Sequence, residues 1–240
     1  MEYEMKVDVV ISADHIKEGE LQGKVAVVID MLRATSVMVT ALDNGAKKVV
    51  PFLTVEEAFD YSKQHSGQVI LGGERKAVKI EGFDFSNSPL EYTKEVVQGK
   101  TLAMTTSNGT RAIKGCTGAS HIFIAAMLNG KAICRKLQEL NEDVVIVNSG
   151  TMGQFSMDDF ICAGYIIETL TKDNPKIELS DIAKTAKYIY ENNKDIDSFI
   201  KNARHYDILK SLGLAGDLQY CMKKDIIDRT PEYINGEITI

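Results

Sequence analysis

The chain has 240 residues, which is enough for one large α/β domain or two small ones with a sizeable core. Hydrophobic residues make up 44% and charged residues 26%, a balance that excludes an intrinsically disordered chain. The net charge of −6 argues against general nucleic-acid binding, although a few local arginines can still hold a small anion.

The cysteines are widely spaced and none forms a C-x-x-C pair: Cys116, Cys134, Cys162 and Cys221. This spacing favours free thiols in a reducing cytoplasm over a zinc site or a disulfide framework. The first ten residues lack the basic and apolar regions of a signal peptide, and every apolar run is shorter than the ~20 residues of a membrane span. We therefore expect a cytoplasmic protein without a membrane anchor.

Short apolar runs alternate with amphipathic stretches along the first 170 residues. The pattern predicts strands at residues 7–11, 25–29, 48–52, 68–71, 101–104, 120–125 and 144–147. It predicts helices at residues 35–44, 55–65, 109–114, 130–140 and 157–169. Thr54, with Glu57 three residues later, is typical of a capping box at the start of the second helix.

The strand runs are continuously apolar rather than alternating, which indicates strands covered on both faces. We predict a three-layer α/β/α sandwich with a mostly parallel (mixed) sheet. Residues 172–178 are polar, residues 181–224 read as a C-terminal helical layer, and Asn235-Gly236 predicts a hairpin within residues 231–240. Without a long linker, residues 1–240 are interpreted as a single domain.

Ligands of open α/β sheets bind beyond the carboxyl ends of the strands, so the residues that follow each strand are the candidate site residues. Asp30 follows the second strand and is placed to bind a hard cation, and Arg33 could reach an anion. Glu74 and Arg75 repeat this acid-plus-arginine pairing after two glycines. The alternatives are that Asp30 caps the next helix and that the arginines pair with surface acids.

The segment after the strand at 101–104 is the strongest candidate for an anion cradle. It combines hydroxyls, an amide, a glycine and a guanidinium at the start of a helix, where backbone N–H groups point outward. The candidate binding residues are Thr105, Thr106, Asn108, Gly109, Thr110 and Arg111. The segment lacks a Walker A lysine, so a nucleoside triphosphatase is not supported, and plain helix capping is the alternative.

Two further places carry polar groups. Asp158 and Asp159 lie in the first turn of the helix after the strand at 144–147, where they complement the helix dipole or complete a metal site. Ser88, in an Asn-Ser-Pro stretch, either contacts a ligand or belongs to a turn.

Together these positions suggest Mg²⁺ facing an oxyanion, because oxygen ligands suit magnesium and arginines suit phosphate or sulfonate. The predicted metal ligands are Asp30, Glu74, Asp158 and Asp159, and the predicted catalytic residues are Asp30, Glu74 and Asp159. The histidines look isolated, which argues against a zinc or histidine-phosphatase mechanism: His15, His65, His121 and His205. Leu32, two residues after Asp30, argues against a D-x-D aspartyl nucleophile.

Five motifs in this order resemble the 2-phosphosulfolactate phosphatases. They are Asp30-Met-Leu-Arg-Ala-Thr, Gly73-Glu-Arg, Gly82-Phe-Asp-Phe-Ser-Asn-Ser-Pro, Thr105-Thr-Ser-Asn-Gly-Thr-Arg and Ser156-Met-Asp-Asp. The resemblance implies magnesium-dependent hydrolysis of 2-phospho-3-sulfolactate to 3-sulfolactate and phosphate, as in coenzyme M biosynthesis, and an α/β/α fold. Proteins of this kind tend to carry an arginine where this chain has Thr151, which leaves the exact substrate open.

Two other functions remain open at this stage. A magnesium-dependent lyase or isomerase of a small phospho-acid would use the same carboxylates, and a non-enzymatic sensor of an anionic metabolite would use the same arginines. The expected partner in each case is a small anion, with neither nucleic acid nor membrane involved, and a homodimer is a possible assembly.

Overall fold

The computed structural model describes residues 4–172, 174 and 176–240, so the predicted polar stretch at 172–178 lies partly outside the described residues. The strands are β1 (Lys6–Val10), β2 (Val25–Ile29), β3 (Lys48–Pro51), β4 (Val69–Arg75), β5 (Val78–Lys79), β6 (Thr101–Thr105), β7 (His121–Ala125), β8 (Val144–Asn148), β9 (Glu178–Leu179), β10 (Glu232–Ile234) and β11 (Glu237–Thr239). The helices are α1 (Ala34–Asp43), α2 (Val55–Gln64), α3 (Lys94–Val97), α4 (Gly109–Gly115), α5 (Gly130–Leu140), α6 (Met157–Thr171), α7 (Asp181–Asn192), α8 (Ile196–Ile200), α9 (Arg204–Ser211) and α10 (Ala215–Cys221). Short 3₁₀ turns lie at Ala13–His15, Pro89–Glu91 and Met127–Asn129.

The strands form a mixed, mostly parallel sheet, which confirms the predicted fold class. Within the described residues the strand order is β5-β4-β6-β3-β11-β10-β7-β2-β8-β1-β9. One parallel group contains β4, β6 and β3, and the other contains β7, β2, β8, β1 and β9. The carboxyl ends within each group therefore meet at one edge.

Helices cover both faces of the sheet. Side chains of α1 and α4 pack with Val28 and Val147 on one face, and side chains of α5, α6 and α7 pack with Val27 and Ile146 on the other. Every residue of β2, β6 and β8 is buried, as the unbroken apolar runs predicted. The capping box of Thr54 and Glu57 and the free state of the four cysteines, all buried, are also confirmed.

The C-terminal hairpin has a larger role than the sequence indicated. Asn235 and Gly236 both have positive φ, as a two-residue hairpin turn requires, so the predicted hairpin is confirmed. It enters the middle of the sheet, where Ile238 pairs with Val49 of β3 and Glu232 pairs with Phe123 of β7. The hairpin thus joins two parallel groups whose inner edges would otherwise be open.

The strand predicted to stop at residue 71 continues to Arg75. Gly73, at φ 145°, lies so close to β6 that a Cβ would be 2.0 Å from the Thr105 carbonyl oxygen. The chain then turns back into β5 through Lys76 and Ala77, which both have positive φ. Such turns usually contain Asn-Gly, so Lys-Ala gave no hairpin signal in the sequence. Glu74 and Arg75 consequently lie on a strand rather than in a loop after it.

We predict that Ile238→Ala lowers the free energy of unfolding by about 2–5 kcal/mol, because Ile238 is fully buried where the hairpin meets β3. Urea unfolding followed by circular dichroism measures this loss. The matched control is Ile240→Ala on the same hairpin, which removes a side chain that is 60% exposed and changes stability by under about 0.5 kcal/mol. Equal effects of the two substitutions would contradict a structural role for the hairpin.

Candidate active site

The loop after β6 brings the two halves of the sheet together at their carboxyl edge. Gly109 at the start of α4 lies directly against Asp30, since a Cβ there would be 2.9 Å from Asp30 Oδ2 and 2.6 Å from the Ala34 Cβ. Asn108 Oδ1 accepts a hydrogen bond of 3.1 Å from the Met152 amide in the loop after β8. Segments far apart in the sequence therefore meet around Asp30.

Among the described carboxylates that are buried at this edge, Asp30 is the one with an oxygen that no donor reaches. Its Oδ1 accepts from the Ala34 amide at 3.1 Å, so the carboxylate also orders the start of α1. Its Oδ2 has no donor among the described residues and is not sealed from solvent. Burial raises the pKa of Asp30 to about 6, the charges of Glu74 and Asp158 add to the rise, and His205 opposes it.

Glu74 is buried and links two loops. Its Oε1 accepts from the Ser107 amide at 2.7 Å, and its Oε2 accepts from the Ala77 amide at 2.7 Å and from Ser107 Oγ at 3.2 Å. Glu74 therefore holds both the β4–β5 turn and the loop after β6, and it places a second negative charge near Asp30.

Asp159 orders the two central loops. Its Oδ1 accepts from the Met31 amide at 2.9 Å and its Oδ2 accepts from the Gly150 amide at 3.0 Å, which ties the loop after β2 to the loop after β8. Burial raises the pKa of Asp159, and Asp158 and Asp30 reinforce that rise. With both oxygens bound to backbone amides, Asp159 is well placed to position the site.

Asp158 forms a buried pair with a histidine that the sequence did not associate with the site. Its Oδ2 lies 3.5 Å from His205 Nδ1, and its Oδ1 accepts from Ser156 Oγ. Burial favours a higher pKa for Asp158, but the contacts with His205 and Ser156 outweigh it and lower the pKa. Burial would lower the pKa of His205, but Asp158 and Asp30 raise it instead. The interpretation of His205 as isolated was wrong.

Arg33 is almost completely buried in an ion pair. Its Nη1 lies 2.6 Å from Asp217 Oδ2, and its Nη2 donates to the Ala77 carbonyl at 3.2 Å. The second oxygen of Asp217 accepts from Ser88 Oγ at 2.7 Å. Arg33 and Ser88, both predicted to bind an anion, thus meet at a carboxylate from α10 that the sequence analysis missed.

The other two predicted arginines also have protein acceptors. Arg75 donates to Thr105 Oγ1 at 2.8 Å and to the carbonyls of Glu74 and Leu53. Arg111 is exposed and pairs with Asp14. An anion would have to share or displace these acceptors, so the anion-binding roles of these arginines stay predictions.

The hydroxyls of Thr106 and Thr110 bond to each other's backbone groups. The Thr110 amide donates to Thr106 Oγ1 at 3.1 Å, and Thr110 Oγ1 donates to the Thr106 carbonyl at 3.0 Å. Both side chains are buried, as is Thr105. Thr106 therefore satisfies an amide in the first turn of α4, as the helix-capping alternative expected of a threonine, while Asn108 at the N-cap position makes no side-chain capping bond.

Three buried polar side chains retain atoms without a partner within the described part of the chain. They are Asn87 Oδ1, both amide atoms of Asn148 and Ser149 Oγ. Asn148 ends β8 opposite Ile29, and the Ser149 amide donates to the Ile29 carbonyl at 2.7 Å. Asn148 and Ser149 therefore lie beside Ile29, the residue before Asp30, at the carboxyl edge of the sheet. Buried groups of this kind normally bind water or a ligand.

The carboxylates of the site fit Mg²⁺ coordination in which the protein supplies few of the ligands. Among residues 4–172, 174 and 176–240, no three carboxylate, imidazole or thiol groups form a ready metal cage. Mg²⁺ does not need one, because it is commonly held by one or two carboxylates, water and substrate phosphate. Asp30 is the residue that would hold the ion, through its open oxygen, and Glu74 and Asp158 add negative charge nearby.

Comparison with known proteins identifies the family. A family model described as 2-phosphosulpholactate phosphatase matches residues 10–236. The chain belongs to this family. The resemblance drawn from the sequence motifs is therefore confirmed over almost the whole chain.

Relatives in three clostridia, each named "Probable 2-phosphosulfolactate phosphatase", match the chain closely. The protein of Clostridium acetobutylicum is 60% identical over 234 residues, which cover 98% of this chain and 100% of that protein. The protein of Clostridium botulinum (strain Eklund 17B / Type B) is 59% identical over 235 residues, covering 98% and 99% of the two chains. The protein of Clostridium beijerinckii is 58% identical over 236 residues, with the same coverage.

Within the described residues of this member of the 2-phosphosulfolactate phosphatase family, no helix is long and apolar enough to cross a membrane.

We predict that Arg33→Met lowers the free energy of unfolding by about 3–5 kcal/mol, because it leaves the Asp217 carboxylate buried and unpaired. Adding Asp217→Asn should restore part of the loss, since it removes the isolated charge. Urea unfolding of the single and double variants measures both effects.

The control for this substitution is Arg229→Met, because Arg229 pairs with Asp43 at 3.2 Å with both side chains at least one-third exposed. That pair should contribute under about 1 kcal/mol. If Arg33→Met costs no more than Arg229→Met, the Arg33–Asp217 pair does not stabilise the site.

Proposed function

We propose that this protein is a magnesium-dependent phosphatase that hydrolyses 2-phospho-3-sulfolactate to 3-sulfolactate and phosphate in the cytoplasm. Membership of the 2-phosphosulfolactate phosphatase family supports the reaction class. The observation that carries the proposal is the open Oδ2 of Asp30, held at the meeting point of four loops beside Glu74, Asp158 and His205. We propose further that residues 1–240 form a single domain. Assembly into a homodimer stays a prediction.

Buried carboxylates of like charge support the cation. Asp30, Glu74 and Asp158 come from three separate segments, and their mutual repulsion in a buried site is relieved when a divalent ion binds. We assign Asp30 as the direct ligand, with Glu74 and Asp158 acting through their charge or through water. When bound, Mg²⁺ supplies charge neutralisation at the phosphoryl oxygens.

The chain's own groups account for the remaining needs of the reaction. Hydrolysis breaks the bond between phosphorus and the ester oxygen, and that oxygen must take up a proton as it leaves. We assign His205 as the group that donates this proton, because Asp158 holds the imidazole in place beside the site. Water attacks phosphorus as the ester bond breaks, since the open oxygen of Asp30 is assigned to the ion. One hydrogen of that water stays on the released phosphate, and the other restores the proton that His205 has given to the leaving oxygen.

We predict that Asp30→Asn lowers the turnover number by at least about 100-fold, because it removes the open anionic oxygen at the reacting centre. Glu74→Gln should also lower turnover, since it removes charge next to Asp30. The assay measures phosphate released from synthetic 2-phospho-3-sulfolactate with Mg²⁺ and, separately, with a chelator.

The matched control is Asp43→Asn, which neutralises a carboxylate at the far end of α1 with a side chain 36% exposed. It should keep wild-type activity. Full activity of Asp30→Asn would remove Asp30 from the centre, and full activity in chelator would contradict magnesium dependence. Conversion of the substrate without phosphate release, followed by ³¹P NMR, would favour a lyase or isomerase, and binding without conversion would favour a sensor.

A further inference from the structure

A cavity of about 270 Å³ lies to one side of the carboxylates, between the loop after β8 and the start of α9. Its walls include Thr151, Gln154, Ser156, Asp158, Arg204 and His205. Asp30, Glu74 and the segment 105–111 are not among its lining residues. The cavity therefore adjoins the proposed reaction centre through the Asp158–His205 pair without containing it.

Arg204 differs from the three arginines predicted from the sequence. Arg33, Arg75 and Arg111 each donate to carboxylate, hydroxyl or carbonyl oxygens of the protein. Arg204 is exposed and forms no hydrogen bond or ion pair with any described residue. Its five N–H donors are available to an oxyanion that enters the cavity.

The charge of the cavity wall also favours an anion. Asp158 is the carboxylate that lines the cavity, and it is already paired with His205. The guanidinium of Arg204 therefore forms no ion pair with the one carboxylate that lines the cavity. A small oxyanion can enter without meeting an unpaired negative charge.

We propose that Arg204 determines substrate specificity by binding the second oxyanion of the substrate, the sulfonate or the carboxylate, while the phosphate lies at Asp30. This inference rests on the proposed function. The separation of the cavity from Asp30 is what assigns Arg204 to the carbon skeleton rather than to the reacting phosphoryl group.

The test is steady-state kinetics of Arg204→Met with three substrates. For 2-phospho-3-sulfolactate, KM should rise about 10- to 100-fold with a much smaller change in the turnover number, because a charged hydrogen bond to the substrate is lost. 2-Phospholactate lacks the sulfonate and 2-phosphooxyethanesulfonate lacks the carboxylate. For the substrate that lacks the group bound by Arg204, the KM of Arg204→Met should differ from the wild-type KM by no more than about threefold. The substrate that behaves in this way identifies the group that Arg204 binds.

The matched control is Lys210→Met, which removes an exposed positive charge from the same helix and should leave KM within about twofold of wild type. An unchanged KM in Arg204→Met, or an equal rise on all three substrates, would overturn the proposal.

A binding measurement separates this inference from the proposed function. 3-Sulfolactate should raise the melting temperature of the wild-type protein and of Lys210→Met, and it should fail to do so for Arg204→Met. If the wild type shows this shift without any phosphatase activity, the proposed function fails and the role of Arg204 stands. If 3-sulfolactate stabilises Arg204→Met as well as wild type, the role of Arg204 is overturned.

Discussion

Burial of negative charge at one edge of the sheet is the constraint on which the rest of the site depends. A carboxylate removed from water is costly unless hydrogen bonds or an opposite charge compensate it. Here Glu74 and Asp159 are compensated by backbone amides, Asp158 by His205 and Asp217 by Arg33. The contacts of Glu74 and Asp159 tie together loops from different strands, and the pairs with His205 and Arg33 attach α9 and α10 to the same edge, so the bonds that satisfy the charges also build the pocket.

Asp30 differs from these carboxylates because only one of its two oxygens accepts a hydrogen bond from the protein. One of its oxygens orders α1, and the other meets only the glycine at the start of α4 and the open site. A side chain at position 109 would fill that space, which gives a physical reason for a glycine there.

Much of this could be predicted from the sequence because strand ends are visible in it. Apolar runs predicted the strands, and inspecting the residues after them found Asp30, Asp158 and the segment 105–111. His205 and Asp217 were missed because they come from C-terminal helices whose packing no local pattern reveals. The extension of β4 through Glu74 could not be predicted, because the Lys-Ala turn that follows β4 lacks the usual hairpin residues. The position of the C-terminal hairpin inside the sheet depends on long-range strand pairing, which a turn sequence does not specify.

The proposed mechanism requires a divalent ion at the open oxygen of Asp30. A crystal structure with Mn²⁺ in place of Mg²⁺ tests it most directly, since manganese takes the same oxygen ligands and has a measurable anomalous signal. We expect an anomalous peak in contact with Asp30 Oδ2. A peak elsewhere, or none at a Mn²⁺ concentration that supports turnover, would contradict it.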